Sequence, residues 1–287
     1  MNPLRQFTVY MQVEKNYPDT TIGTYLQAID EFIQEMSITN FIKVDRNIIK
    51  SYLSILKNKN NSPSTRNKKL SALRTFFNFL CREDIIKINP TFGIENCKTE
   101  KHLPKILSND DIKKLSDSTN ENNFQELRNK IILELFLATG MRISELTNMK
   151  KSCIDFSNQS ILIFGKGQKE RVCPLDESTI NFIVKYLDMR EDESVYLFPG
   201  RNVKQPMSVS SIRKIIYKMG IEAEVNVHPH LLRHAFAKDL LDNGADIRVI
   251  QEILGHANIG STQIYTKVGN KLLMDTYKKC HSRMSLG

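Results

Sequence analysis

The sequence predicts a mainly α-helical protein: a small N-terminal helical domain, and a larger α-rich domain with a small antiparallel β-sheet. Three observations lead to this fold class. The chain has 287 residues, enough for about two domains. Apolar residues recur at helical spacing through most of it. Two short apolar runs on either side of a glycine-bearing turn read as strands of a hairpin.

Composition excludes several protein classes. Hydrophobic residues make up 40% and charged residues 25% of the chain, which is typical of folded proteins rather than disordered ones. No apolar stretch approaches the ~18–20 residues that span a bilayer, and no secretory signal is visible at the N-terminus. The 5 cysteines form no Cys-x-x-Cys pair. We therefore expect a cytoplasmic protein without membrane association, a disulfide framework or structural zinc.

Charge gives a first indication of function. The chain has 41 Lys and Arg residues against 32 Asp and Glu, a formal net charge of +9. Such a protein attracts polyanions, and nucleic acid is the commonest polyanion in a cytosol. The alternative is that the charge serves solubility alone.

Three helices are predicted in the N-terminal domain, 1–88. An apolar stripe over 22–36 follows possible caps at Asp19, Thr20 and Thr21. A second helix starts at Asp45, and a third has its stripe over 70–80. The third helical segment also carries four basic residues that are candidates for phosphate contacts: Arg66, Lys68, Lys69 and Arg74. The alternative for these is a solvated basic face on an ordinary bundle helix.

The segment 89–106 is predicted to be an interdomain linker. It loses helical periodicity and holds Pro90, Gly93 and Pro104. The second domain, 107–287, begins with a helix whose start is marked by caps and acids between Ser108 and Asp111.

The second domain is predicted to centre on a strongly apolar helix over 124–139, which ends at Gly140 in the left-handed conformation. Strands follow at 161–164 and 171–175, joined by a turn that contains Lys166. Several helices with short connections are expected over 176–280.

Four clusters of polar residues in this domain carry chemistry. Arg142 lies just after the apolar helix, and Glu145 can bond it or cap the next turn. Lys166 stands at the hairpin tip between two glycines. His230 and Arg233 are three residues apart, and therefore on one helical face. His256 follows a glycine, and Tyr265 comes nine positions later.

Together these side chains suit metal-free exchange of phosphodiesters. Two guanidiniums can grip the non-bridging oxygens of one phosphate and stabilise the charge of its transition state. A histidine can accept a proton from a hydroxyl nucleophile, and a lysine can protonate the leaving oxygen. A tyrosine can attack phosphorus and hold the product covalently. The carboxylate clusters that bind Mg²⁺ are not evident, so no cofactor or metal is expected.

The order and spacing of TG-x-R-x-x-E-L, the G-K-G hairpin, H-x-L-R-H, L-G-H and the following I-Y resemble the tyrosine recombinases of the phage integrase family. The resemblance is to their short two-domain type, such as Xer recombinases and transposon resolvases. It covers the whole chain, since the N-terminal helices resemble the family's core-binding domain. It implies that six residues act on one scissile phosphate, with Tyr265 as nucleophile and Glu145 in support: Arg142, Lys166, His230, Arg233, His256 and Tyr265.

The resemblance further implies site-specific recombination of double-stranded DNA through a 3′-phosphotyrosyl intermediate and a Holliday junction. The expected partners are paired DNA half-sites and a tetramer of the protein on two sites, with a second recombinase or an accessory protein as a possible addition. The expected purpose is resolution of chromosome or plasmid dimers, resolution of transposon cointegrates, or integration of a mobile element. Two alternatives stay open: a DNA-binding regulator that no longer cleaves, and a type IB topoisomerase.

Simpler readings exist for single residues. Tyr265 taken alone could be an ordinary surface tyrosine. His230 and His234 are four apart and could bind a metal, but Arg233 between them would repel a cation. Leu273, Met274 and Tyr277 form a small apolar face in the tail over 270–280. The resemblance implies that this tail docks on an adjacent subunit, and the alternative is that it covers its own domain.

Overall fold

The computed structural model describes residues 3–99, 106–165, 170–254, 276–277 and 279–282. The chain folds into two compact units, Met1–Leu103 and Pro104–Gly287. Both units are mainly helical, and the second contains a small antiparallel sheet, as the sequence predicts. Within the described residues, no helix is long and apolar enough to cross a membrane.

The described part of the first unit contains four α-helices: α1 (Pro3–Val9), α2 (Asp19–Glu35), α3 (Arg46–Asn58) and α4 (Pro63–Arg82). Local caps set the starts of the last two. The side chain of Asp45 accepts from the backbone N–H of Ile48, and Ser62 caps α4 with Pro63 at its first turn. α2 differs from expectation, because Pro18 is its N-cap and Asp19 already lies in the first turn.

The predicted stripe of α4 is the centre of the first core. Phe76 and Phe77 are fully buried, and Phe76 contacts Phe7 edge-to-face with ring centroids 5.2 Å apart. Residues after α4 stay attached to this unit. Arg46 donates to the carbonyl of Gly93 at 2.7 Å, and the Asn67 side chain both accepts from and donates to the backbone of Cys97. Residues 100–105 lie outside the described part, so the limits of the linker over 89–106 stay a prediction.

The second unit begins with α5 (Asn109–Asp117), which starts with a capping box between Ser108 and Asp111. The apolar helix is α6 (Phe124–Thr139), and every residue from Ile131 to its end is buried. The described residues form five further named helices in this unit: α7 (Ile143–Thr147), α8 (Glu177–Asp188), α9 (Val209–Glu222), α10 (Pro229–Asp242) and α11 (Ile247–Ile253). Of these, α8, α9 and α10 pack against α6, whereas α7 packs against α9 and α11 against α10.

The sheet has three antiparallel strands in the order β1 (Ile154–Asp155), β2 (Ser160–Phe164) and β3 (Glu170–Pro174). β2 and β3 correspond to the two predicted strands, and the two-residue β1 was not predicted. The described ladder between β2 and β3 ends at the pair of Phe164 with Glu170.

The described part of the tail packs on its own domain. Tyr277 and Cys280 are buried in a cluster with Phe236 and Leu240 of α10 and with α11. The His281 ring stacks on Tyr277 at 5.1 Å, and its Nε2 lies 3.2 Å from the carbonyl oxygen of Leu137. This packing corresponds to the alternative in which the tail covers its own domain. Docking of the tail on a neighbouring subunit stays a prediction. Leu273 and Met274 lie outside the described residues.

Candidate active site

The turn after α6 positions the first arginine. Gly140 ends the helix with φ of 55°, the left-handed conformation that the sequence predicts. Its Cα approaches α10 closely, because a Cβ at this position would lie 2.3 Å from Cδ1 of Phe236. A glycine is therefore required at position 140 for two reasons, the left-handed backbone conformation and the lack of room for a side chain. Arg142 follows as the residue before α7.

Glu145 holds Arg142 in place. The Oε1 of Glu145 accepts from Nη1 of Arg142 at 2.8 Å, and its Oε2 accepts from the backbone N–H of Arg142 at 2.8 Å. Glu145 was predicted from the sequence either to bond Arg142 or to cap the turn, and it does both. The Glu145 side chain is only 4% exposed, whereas that of Arg142 is 33% exposed. The carboxylate is thus buried while the guanidinium reaches the surface.

A second guanidinium, from Arg171 of β3, also binds Glu145. Its Nη2 donates to Oε2 at 2.7 Å. Burial by itself raises the pKa of Glu145, but the hydrogen bonds and charges of Arg171 and Arg142 outweigh it and hold that pKa below its ordinary value. Arg171 was not among the site residues predicted from the sequence. The available signal was strand alternation, which puts Arg171 on the same face as the buried Cys173.

Arg233 ties three segments together from the first turns of α10. It is buried, and it donates to the carbonyl of Gly140 at 2.6 Å and to that of Leu254 at 2.5 Å. Burial, followed by the nearby charge of Arg142, lowers the pKa of Arg233 to about 10. The structure therefore brings the guanidinium of Arg233 to the turn that leads into Arg142.

The histidines of α10 lie at its exposed start. His230 is exposed, three residues before the buried Arg233. His228 is the N-cap of the helix, and burial, with the charges of His230 and His234, lowers its pKa. His234 is also exposed. In the part of the chain that the structure describes, no group of three or more His, Cys, Asp or Glu side chains could hold a metal ion.

Three predicted site residues lie outside the described residues: Lys166, His256 and Tyr265. The structure does describe chain close to two of them. β2 ends at Phe164 and β3 begins at Glu170, and Lys166 lies between these two residues in the sequence. Leu254, whose carbonyl accepts from Arg233, comes two residues before His256.

The four basic candidates of the first unit have different surroundings. Lys69 forms an ion pair with Glu31. Arg74 donates to the carbonyl of Ile94 and to the side chain of Asn96. Arg66 is half-buried, and Lys68 is exposed. Two of the four thus stabilise their own unit.

Comparison with known proteins gives the same family over both units. Residues 105–271 match the phage integrase family, and residues 4–84 match the phage integrase N-terminal SAM-like domain. The chain is 36% identical to tyrosine recombinase XerC of Bacillus pumilus, across 96% of this chain and 95% of that protein. It is 33% identical to tyrosine recombinase XerD of Oceanobacillus iheyensis, across 98% of both.

Solved structures share the fold. The XerH site-specific recombinase, in its post-cleavage complex with a palindromic difH substrate, aligns with a TM-score of 0.72 at 22% identity, across 94% of this chain and 82% of that one. The XerA recombinase aligns with a TM-score of 0.50 at 29% identity, across 96% of both chains. The resemblance of the sequence motifs is therefore confirmed, and the chain belongs to the phage integrase family as a tyrosine recombinase of the Xer-like type.

Proposed function

We propose that this recombinase breaks and rejoins double-stranded DNA at specific sites, with Tyr265 as its nucleophile. One observation carries the proposal: Arg142 and Arg233 meet at the turn from Gly140 to Glu145, with Arg142 partly exposed and Arg233 held rigidly by two carbonyls. Two guanidiniums fixed at one point suit a phosphate, because each can bond its non-bridging oxygens in a planar fork.

The proposed cleavage step is a transesterification. The hydroxyl oxygen of Tyr265 bonds to phosphorus as the bond from phosphorus to the 5′ oxygen breaks. His230 accepts the tyrosine proton, and Lys166 donates a proton to the departing 5′ oxygen. Arg142 and Arg233, with His256, stabilise the negative charge on the non-bridging oxygens. The products are a 3′-phosphotyrosyl bond and a free 5′-hydroxyl.

Rejoining reverses these steps with the 5′-hydroxyl of a partner strand. The phosphotyrosyl bond conserves the energy of the original ester, so the reaction needs no ATP, and arginines supply the positive charge that a metal provides elsewhere. Two rounds of exchange proceed through a Holliday junction. The proposal therefore includes activity without cofactor or metal, and it expects cleavage to continue in the presence of EDTA.

The partners follow from this chemistry. The substrate is double-stranded DNA with paired half-sites in the cytoplasm, and four copies of the protein act on two sites, with or without a second recombinase or an accessory protein. The Xer names of the relatives support this arrangement. The recombination products distinguish the possible biological roles. Excision of the DNA between direct repeats indicates resolution of dimers or cointegrates, whereas joining of separate DNA molecules indicates integration of an element.

The nucleophile can be tested directly. DNA sites are first selected from a random library with Tyr265→Phe, which should bind without cutting. On the selected sites, the unaltered protein should form a covalent protein–DNA adduct and Tyr265→Phe should form none. Tyr217→Phe is the matched control, because Tyr217 is an exposed tyrosine of the same unit and its variant should retain the adduct.

Two outcomes would redirect the proposal. An adduct that persists in Tyr265→Phe would move the nucleophile to another hydroxyl, such as that of Ser261 or Thr262. Relaxation of supercoiled DNA without joined products from two sites would indicate a topoisomerase instead of a recombinase.

A further inference from the structure

Arg171 lies where the hairpin meets the arginine turn. It pairs with Ile163 across the β2–β3 ladder, next to the Phe164–Glu170 pair that closes the hairpin tip. Its side chain is only 11% exposed, and its Nε is buried without a hydrogen-bond partner among the described residues. A buried arginine is costly unless it is paired, so its single described ion pair defines its role.

That ion pair is with Glu145, which lies 26 residues earlier in the chain. Glu145 is thereby gripped from two sides, by Arg171 of β3 and by the side chain and backbone of Arg142 at the start of α7. Arg171 and Arg142 donate hydrogen bonds to the same carboxylate. The orientation of that carboxylate therefore depends on Arg171, and the position of Arg142 depends on the carboxylate.

Charge gives Arg171 a second effect. Among the described residues, the positive side chains of Arg142, Arg171 and Arg233 lie beside the negative side chain of Glu145, and these four together carry a net charge of +2. Burial by itself lowers the pKa of Arg171, but the hydrogen bonds and charges of Glu145 and Cys173 together outweigh burial and raise that pKa, so Arg171 stays charged. Without Arg171, the buried carboxylate would be left to Arg142, whose charge would then be spent on Glu145.

We propose that Arg171 is a positioning residue for cleavage: it neutralises and orients Glu145 so that the guanidinium of Arg142 is held toward the scissile phosphate with its charge available. The inference rests on the proposed function, because it assigns to Arg142 the binding of that phosphate. It also links the base of the Lys166 hairpin to the arginine turn through one carboxylate.

The test measures half-site affinity and the single-turnover cleavage rate at saturating protein, on sites selected with Tyr265→Phe. Arg171→Met should cleave about 10²-fold more slowly, since small displacements of a catalytic group have effects of that size. Half-site affinity should change by less than about threefold, because the chain has 41 Lys and Arg residues, so many other cations are available to the DNA backbone. Arg171→Lys should recover about tenfold of the lost rate, because an ammonium restores the charge and one hydrogen bond but not the fork.

A modified substrate separates positioning from general damage. A methylphosphonate at the scissile position replaces one charged oxygen with a methyl group, so it needs less positive charge from Arg142. On this substrate the loss caused by Arg171→Met should shrink to less than about tenfold. A merely structural defect would reduce cleavage of both substrates equally.

Arg190→Met is the matched control. Arg190 is also buried, it pairs with Asp192, and it donates to the carbonyls of Tyr196 and Leu197 away from the arginine turn. This variant should lower the unfolding temperature yet cleave at the unaltered rate when folded and saturating.

The results distinguish failure of the proposed function from failure of the proposed role of Arg171. If the unaltered protein forms no adduct, the proposed function fails. If it does, but Arg171→Met cleaves both substrates at the unaltered rate or loses equally on both, the role of Arg171 is refuted and the function stands. If Arg171→Met does not fold, Arg171→Lys is tested in its place, and its cleavage rate on each substrate is divided by that of the unaltered protein. A lower relative rate on the phosphate than on the methylphosphonate supports the inference. Equal relative rates on the two substrates refute it.

Discussion

Four basic residues along α4 and three arginines around Glu145 are both cationic clusters, but their counter-charges differ. On α4, Lys69 has its own carboxylate partner in Glu31, and Arg74 is bonded to the chain near Ile94. Around Glu145, the guanidiniums of Arg142 and Arg171 both bind one carboxylate, and that of Arg233 lies close enough to sense its charge. The number of basic residues in a segment therefore does not indicate where positive charge is concentrated.

Burial accentuates the contrast. Lys68 on α4 is exposed, so water and salt screen its charge, whereas Arg233 is buried and its guanidinium is fixed by the carbonyls of Gly140 and Leu254. Screened charges contribute affinity in small, interchangeable steps. Fixed charges in a less polar environment act on a transition state, where geometry decides the effect.

The largest expected effect is that of Arg233→Lys. A lysine keeps the charge but cannot bond two carbonyls and a phosphate in one plane, so the cleavage rate should fall about 10²–10³-fold. Half-site binding should stay near normal. Single-turnover cleavage beside a gel-shift titration checks both, and Lys68→Arg is the control on α4. Near-normal cleavage by Arg233→Lys would remove the contrast between the two clusters.

Next in size is Gly140→Ala, which tests how the backbone holds the arginine turn. The left-handed conformation and the contact with Phe236 should together cost about 2–4 kcal/mol of unfolding free energy. Gly244→Ala is the matched control, because Gly244 also has a positive φ, of 88°, but nothing lies within 4 Å of an added Cβ. It should cost about 1 kcal/mol. Equal losses in urea unfolding would show that the contact with Phe236 contributes nothing.

The buried carboxylate should make stability depend on pH. Glu145 has a folded-state pKa below its ordinary value of 4.5, so its contribution is present above that value and is lost as the pH falls through the folded pKa. Glu145→Gln should therefore cost about 1–3 kcal/mol at neutral pH, and the difference from the unaltered protein should narrow below about pH 4.5.

Its control comes from the first unit. Glu35 pairs with the exposed Lys59, so Glu35→Gln should change stability by less than about 0.5 kcal/mol. Urea titrations at several pH values compare the two variants. A pH-independent cost for Glu145→Gln would mean that its charge does not stabilise the fold.

The smallest effect concerns α4. If Lys68 contacts a phosphate, Lys68→Ala should reduce the slope of log affinity against log salt by about 1. Lys69→Ala should change the slope less, because Glu31 already neutralises Lys69. Half-site titrations between 50 and 200 mM salt, about a fourfold range, measure both. An equal change for the two variants would show that the Glu31 pair opens when DNA binds.

The sequence by itself determined the features that depend on neighbours in the chain. The start of α3 at Asp45, the capping box at Ser108 and the end of α6 at Gly140 are local, because a cap or a left-handed glycine acts within a few residues. The bond between Arg142 and Glu145 spans three residues and was also within reach. The order and spacing of the motifs that contain the predicted catalytic residues were sufficient to identify the family.

Only the tertiary structure decided which distant groups share a charge. Arg233 bonds a carbonyl 93 residues away, and Arg171 reaches Glu145 across 26 residues. No pattern in the sequence specifies these partners, since they depend on how α10 and the sheet pack on α6. The same holds for Lys69 with Glu31, and for His281 beside Leu137. The sequence gives the type of each charged side chain, but the tertiary packing determines its partner. An ion pair forms between those opposite charges that the packing of the core brings together.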